Sequence, residues 1–127
     1  MRQFILSLLA CLCLTAYSQT ASQADLLVEE AQKLESKQDY TTAITQLKQA
    51  DELYVKTGKT QSAERATCLH ILGRCYLNLE RPEGLTYTQM AADMRKTILG
   101  ETDIKYISSL NNIGLYYLTV AKDYHKA

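Results

Sequence analysis

The chain of 127 residues contains no tryptophan, one phenylalanine, one proline and five glycines. This low proline and glycine content, together with 46% apolar residues, excludes collagen-like and disordered low-complexity chains and favours one compact unit. Neither sign of charge is in excess, because 14 lysines and arginines balance 14 aspartates and glutamates. We therefore do not expect nucleic-acid binding or attachment to an anionic membrane through net charge.

Catalytic motifs are also missing. Only His70 and His125 could act as bases at neutral pH, and no glycine-rich phosphate loop, HExxH or CxxC motif is present. The adjacent carboxylates at 29–30 and 51–52 would point about 100° apart on a helix, so such pairs seldom converge on one substrate. We expect no enzymatic activity, no metal site and no cofactor.

The N-terminal segment has the organisation of a secretory signal peptide. Arg2 supplies a positive charge, and ten of the eleven residues from Phe4 to Leu14 are apolar. Small residues at Ala16 and Ser18 predict cleavage after Ser18, which leaves residues 19–127 as the mature chain. The apolar run is shorter than the roughly 20 residues that cross a bilayer. We expect an exported, periplasmic or secreted protein without a membrane span after cleavage, and a retained anchor is the alternative.

The four cysteines divide into two pairs. Cys11 follows Leu-Leu-Ala, which resembles a bacterial lipobox, but only the seven residues from Phe4 to Ala10 would serve as the apolar core, so lipid attachment there is the less favoured alternative. Cys68 and Cys75 remain after cleavage. On one helix their spacing separates the Cα atoms by about 10 Å, more than the about 7 Å that a disulfide allows. We expect both thiols to be free and to pack as small apolar groups.

A repeat of about 42 residues runs through the mature chain. Ala31, Gly73 and Gly114 align at steps of 42 and 41 residues, with leucine and tyrosine recurring around them. A polar turn follows each segment, so the repeated unit is helix, turn, helix. A small residue at the centre of a helix lets a second backbone approach closely. We therefore expect Gly73 and Gly114 to face a neighbouring helix.

Apolar residues recur at i, i+3, i+4 and i+7, which is the spacing of one helix face. No segment alternates with period two for long enough to predict a strand. Gly58 and Gly100 suit helix ends, whereas Thr60 or Ser62, Thr102 and Pro82 suit helix starts. The expected helices cover residues 22–37, 40–57, 61–79, 82–99 and 103–121. The expected apolar stripe of the last helix consists of Ile107, Leu110, Gly114, Tyr117 and Val120 or Ala121.

Two patterns, Leu69-x-x-Leu72-Gly73-x-x-Tyr76 and Gln38-Asp39-Tyr40-x-x-Ala43, resemble tetratricopeptide repeats. The segment around Gly114 is similar to the longer repeats of kinesin light chains and many bacterial proteins. The resemblance implies an all-α fold of antiparallel helical hairpins, stacked as a right-handed α-solenoid. The implied repeats are about 24–57, 61–99 and 103–127, the last incomplete. One departure is that Gln38, Glu80 and Ala121 stand at the usual glycine of the inner turn.

The resemblance also implies a concave groove that binds peptides, lined by the first helix of each repeat. The matching positions are Val28, Gln32, Glu35, His70, Arg74, Leu77, Asn78, Ser108, Asn111, Asn112 and Leu115. The candidate site consists of five of them: His70, Arg74, Asn78, Asn111 and Asn112.

Different chemistry is expected from the members of this site. The amide of Asn111 or Asn112 can both donate to and accept from a peptide main chain; the alternative is a bond to a neighbouring helix. Arg74, with His70 one turn before it, could receive an acidic side chain or a terminal carboxylate, although a solvated face is the favoured interpretation. His70 could titrate at about pH 6 to 7.

The last expected helix presents Ile107, Leu110, Ile113 and Tyr117 with no second helix after it. An uncovered apolar face favours association, so we expect a longer protein or self-association through this helix. Two functions follow. The first is an exported scaffold that binds a protein or peptide in the groove. The alternative is the N-terminal sensing region of a larger membrane-bound signalling protein, either a sensor kinase or a transcriptional regulator.

Overall fold

A computed structural model describes residues 23–124, and the expected signal peptide, residues 1–18, lies outside this range. The described chain forms five helices and contains no strand, which confirms the all-α prediction. The helices are α1 (residues 23–36), α2 (Tyr40–Lys56), α3 (Ala63–Asn78), α4 (Gly84–Leu99) and α5 (Ile104–Tyr124). The bounds of α2 to α5 lie within three residues of the prediction. None of the helices in residues 23–124 is long and apolar enough to cross a membrane.

Side chains and glycines mark the helix ends. Ser62 is the N-cap of α3, and its Oγ accepts a hydrogen bond from the Arg65 backbone N–H at 3.1 Å. Gly58 and Gly100 have positive φ angles of 79° and 93°, as expected for residues that follow a helix. The Asp39 side chain accepts from the Thr42 backbone N–H at the start of α2.

Two predicted starts are wrong. Pro82 precedes α4 by two residues and belongs to the turn before it. Thr102 does not cap α5, because Asp103 lies next to the helix and its Oδ1 accepts from the Lys105 backbone N–H at 2.8 Å. A carboxylate there also suits the positive end of the helix dipole.

The inner turns have a left-handed backbone at residues other than glycine. Gln38 has a φ of 63° and Glu80 a φ of 55°. A side chain in this conformation costs on the order of 1 kcal/mol or more relative to glycine. These are two of the positions where the resemblance to tetratricopeptide repeats predicts a glycine.

Consecutive helices run antiparallel. Between α2 and α3, Cys68 Sγ donates to the Leu47 carbonyl oxygen at 3.3 Å, and Arg65 Nε donates to Asp51 Oδ1 at 2.6 Å. Residue numbers therefore rise along one helix as they fall along the other. The Tyr54 hydroxyl donates to Asp25 Oδ1 at 2.6 Å, which joins the end of α2 to the start of α1.

Helix α3 lies at the centre of the molecule, in contact with α2, α4 and α5. It is linked to α1 by Arg74, which donates to Glu35. Cys68 and Cys75 are buried and free, as expected, and burial raises the pKa of each thiol to about 12. Both cysteines therefore act as small apolar groups of the core.

The prediction for the two helix-centre glycines is half right. A Cβ on Gly73 would lie 2.0 Å from Thr88 Oγ1 and 3.1 Å from the Gly84 carbonyl oxygen, so α4 packs directly on this backbone. A Cβ on Gly114 would meet nothing within 4 Å among the described residues. The expectation for Gly114 is therefore wrong, because no helix within residues 23–124 covers that side of α5.

The expected apolar stripe of α5 is mostly exposed. Ile107, Leu110 and Tyr117 are 39, 43 and 56% exposed. The buried face of α5 instead consists of Ser109, Tyr116 and Val120. The prediction that α5 presents uncovered apolar side chains is confirmed at Ile107, Leu110 and Tyr117, whereas Ile113 is half-buried.

Candidate functional site

A cleft of about 390 Å³ lies between α3 and α5. Seven residues line it: Arg74, Leu77, Asn78, Glu80, Asn112, Leu115 and Thr119. Three of the five predicted site residues are among them, and Leu77 and Leu115 were expected groove positions. Two helices that are not consecutive in sequence thus bring together three of the five residues of the candidate site.

Arg74 forms an ion pair with a carboxylate of the same chain. Its guanidinium Nε and Nη2 donate to the two carboxylate oxygens of Glu35 on α1, with 2.7 Å between Nη2 and Oε2. This pairing raises the pKa of Arg74. The Arg74 side chain is 40% exposed, so it still contributes to the wall of the cleft. The less favoured alternative, in which Arg74 and His70 together receive a ligand anion, does not agree with this geometry, since Glu35 occupies the guanidinium.

His70 is enclosed and does not line the cleft. It is 5% exposed, and its Nδ1 lies 3.1 Å from Ser109 Oγ on α5. The same hydroxyl oxygen accepts a hydrogen bond from Arg95 Nη1 at 3.0 Å. Because the Ser109 oxygen accepts from Arg95, its hydroxyl hydrogen is available for His70 Nδ1. This arrangement needs a neutral imidazole.

The pKa of His70 follows from this environment. Burial, and then the positive charges of Arg95 and Arg74, lower it to about 4. Titration of His70 at about pH 6 to 7, which the sequence left open, does not agree with this lowered pKa. Ser109 is completely buried, so its contact with His70 joins α3 to α5 and offers no nucleophile to a ligand.

The three asparagines of the predicted site have different positions. Asn78 is exposed at the rim, and its Nδ2 donates to the Arg74 carbonyl oxygen at 2.9 Å, which leaves its side-chain oxygen for a ligand. Asn111 is exposed and does not line the cleft. Asn112 is half-buried in the wall, and its Nδ2 is enclosed without a hydrogen-bond partner among the described residues. An enclosed donor without an acceptor costs on the order of 1–3 kcal/mol.

Three residues that hold α5 against α3 and α4 were missed by sequence reasoning. Tyr116 is 2% exposed, and its hydroxyl donates to the Gly73 carbonyl oxygen at 2.5 Å. Burial raises the pKa of this phenol. The repeat alignment favoured Tyr117, the equivalent of Tyr76, over its neighbour. Arg95 and Ser109 belong to no sequence motif that predicts their role. The only feature that marks them in the sequence is a polar side chain in the middle of an amphipathic helix.

Comparisons with protein-family models, with curated proteins and with solved structures gave no significant match. Within residues 23–124, no cluster of three or more histidine, cysteine, aspartate or glutamate side chains is arranged to hold a metal ion. The side chains that line the cleft offer amide and hydroxyl groups, two leucines, one paired arginine and one glutamate.

Proposed function

We propose that this chain is an exported scaffold of the tetratricopeptide type, which binds an extended peptide segment of another protein in the cleft between α3 and α5. Its helical hairpins would stack as a right-handed α-solenoid, with α1, α3 and α5 side by side along the inner surface. The amino-terminal pattern of residues 1–18 supports export.

Three features of the fold support the architectural part of this proposal. The left-handed backbone at Gln38 and Glu80 occurs where the repeat pattern places a glycine. The close approach of α4 to Gly73 agrees with the role that the pattern assigns to a small residue at that position. Contacts of α3 with α1 and with α5 bring together the first helices of successive repeats.

The enclosed amide of Asn112 is the observation that carries the binding proposal. Its Nδ2 lacks an acceptor, and because the residue lines the cleft, rotation of the side chain would bring this donor to a main-chain carbonyl oxygen of a bound peptide. The side-chain oxygen of Asn78 could accept from a main-chain N–H at the rim. Leu77 and Leu115 give the same cleft two apolar walls. Main-chain hydrogen bonds with apolar contacts beside them suit an extended peptide with uncharged side chains.

A selection from random decapeptides displayed on phage would test this function. Peptides enriched on the purified chain would be synthesised, and their dissociation constants measured by calorimetry. We expect Asn112→Ala to weaken binding at least tenfold, because it removes the main-chain donor. Asn111→Ala changes an exposed asparagine outside the cleft on the same helix, and it is expected to leave affinity unchanged. Equal affinities of both variants and the unsubstituted chain, or no enriched peptide, would refute the proposal.

A further inference from the structure

Helix α5 has a second surface, which we call the α5 face, on the side away from its buried residues. Its members are Ile107, Leu110, Gly114, Tyr117 and Leu118. The four side chains are 39 to 61% exposed, and none of the five residues is charged. We propose that the α5 face binds the α5 face of a second copy of this chain, in an antiparallel arrangement around a two-fold axis at Gly114.

The spacing of the apolar residues favours a self-complementary contact. Leu110 and Leu118 lie four residues before and after Gly114. In a two-fold contact the same surface serves both copies, so a residue before the axis meets one that follows it in the other copy. Antiparallel helices crossing at Gly114 would place Leu110 beside Tyr117 of the second copy, and Ile107 beside Leu118 of the second copy. Apolar side chains would meet on both sides of the axis.

Gly114 has the space that such a crossing needs. No atom of the described residues lies within 4 Å of the position of its Cβ, so a second backbone can approach here. Within the chain, the equivalent glycine of α3 already allows an approach of this kind by α4. A glycine in the middle of a helix costs about 1 kcal/mol relative to alanine, and a close helix contact offsets that cost.

Charge places no obstacle to this contact. Two identical surfaces would bring like charges together, but the α5 face holds none. The face is also distinct from the cleft, whose residues on α5 are Asn112, Leu115 and Thr119. Self-association therefore does not depend on the proposed peptide binding.

The size of the face sets the expected strength. It is one side of one helix with four apolar side chains that are 39 to 61% exposed, so we expect a contact smaller than the about 800 Å² per partner of a standard stable complex. We expect a reversible dimer with a dissociation constant on the order of micromolar to tens of micromolar. At lower concentrations the monomer would predominate.

A disulfide trap tests the two-fold axis directly. In a chain with Cys11→Ser and Cys13→Ser, only the buried Cys68 and Cys75 remain. Gly114→Cys in this background would place two thiols next to each other at the axis. At tens of micromolar protein with oxidised glutathione, we expect it to form a covalent dimer at least tenfold faster than Leu26→Cys, a matched exposed position on α1.

Sedimentation of the unlinked chain is the second measurement. Leu118→Lys would add like charges across the contact, and we expect it to shift the dimer to the monomer. Leu26→Lys, at a residue of similar exposure, should leave the dimer in place. A chain that is monomeric up to about 100 µM, or a dimer that does not cross-link at residue 114, would overturn the proposal.

Discussion

Helices α3 and α5 contain the same pattern of leucine, glycine and tyrosine, in different surroundings. The equivalent residues are Leu69, Gly73 and Tyr76 in α3, and Leu110, Gly114 and Tyr117 in α5. All three are buried in α3, where α4 packs on the glycine. In α5 they are exposed. The pattern thus defines a face that can accept a helix, and the neighbouring elements decide whether that face contributes to stability.

The largest contrast is expected at the leucines. Leu69 is completely buried, so Leu69→Ala should lower the free energy of unfolding by about 3 kcal/mol through lost burial and the cavity left behind. Leu110 is 43% exposed, and Leu110→Ala should cost less than about 1 kcal/mol. Urea unfolding at low micromolar concentration, where the proposed dimer is largely dissociated, would measure both. Equal losses would contradict the difference in packing.

The glycines should respond in opposite directions. Gly73→Ala places a methyl group against Thr88 Oγ1, so α4 must shift, and we expect a loss of about 1–3 kcal/mol. Gly114→Ala meets no neighbouring atom among residues 23–124 and gains helix propensity, so we expect stabilisation by up to about 1 kcal/mol. Thermal unfolding of dilute samples checks the signs, and two changes of the same sign would contradict the comparison.

A third contrast concerns the residues one position after the leucines, His70 and Asn111. The pKa of His70 is about 4 in the folded chain, against an ordinary value of 6.5, so the unfolded state takes up the proton first as the pH falls. Stability should therefore decrease from pH 7 to pH 4, with a loss of about 2 kcal/mol by pH 5. His70→Gln removes this part of the pH dependence.

Asn111→His is the matched control for that measurement, because it places a histidine at the exposed equivalent position. Urea unfolding between pH 4 and 7 should show the same pH dependence for this variant as for the unsubstituted chain. If His70→Gln retained the full pH dependence of stability, the neutral buried imidazole of His70 would not be the source of that dependence.

The smallest effect is expected at the ion pair between α1 and α3. Arg74 and Glu35 form two hydrogen bonds, but the arginine side chain is 40% exposed and solvent screens its charge. A double-mutant cycle with Arg74→Ala and Glu35→Ala should give a coupling free energy of about 0.5–1 kcal/mol. The coupling should weaken in 1 M salt, and a salt-independent value would indicate that packing, not charge, joins these residues.

Much of the local structure was predictable because it depends on nearby residues. The spacing of apolar side chains located four helices to within three residues, and Gly58 and Gly100 were correctly placed at helix ends. The candidate site was predicted less well. Arg74, Asn78 and Asn112 line the cleft, but His70 is buried and Asn111 lies outside it. His70 lies one helix turn before Arg74, and Asn111 is adjacent to Asn112, so the helix that packs against each residue determines its exposure.

By itself the sequence determined that the chain is helical, where its helices lie, and that Cys68 and Cys75 are too far apart for a disulfide within one helix. These are consequences of a 3.6-residue period and a 1.5 Å rise, which operate over a few residues. Only the tertiary structure decided that Tyr116 anchors α5 through the Gly73 carbonyl oxygen while Tyr117 remains exposed. Adjacent residues on a helix point about 100° apart, so the rotation of α5 against α3 and α4 selects between them, and that rotation depends on contacts about 40 residues away in sequence.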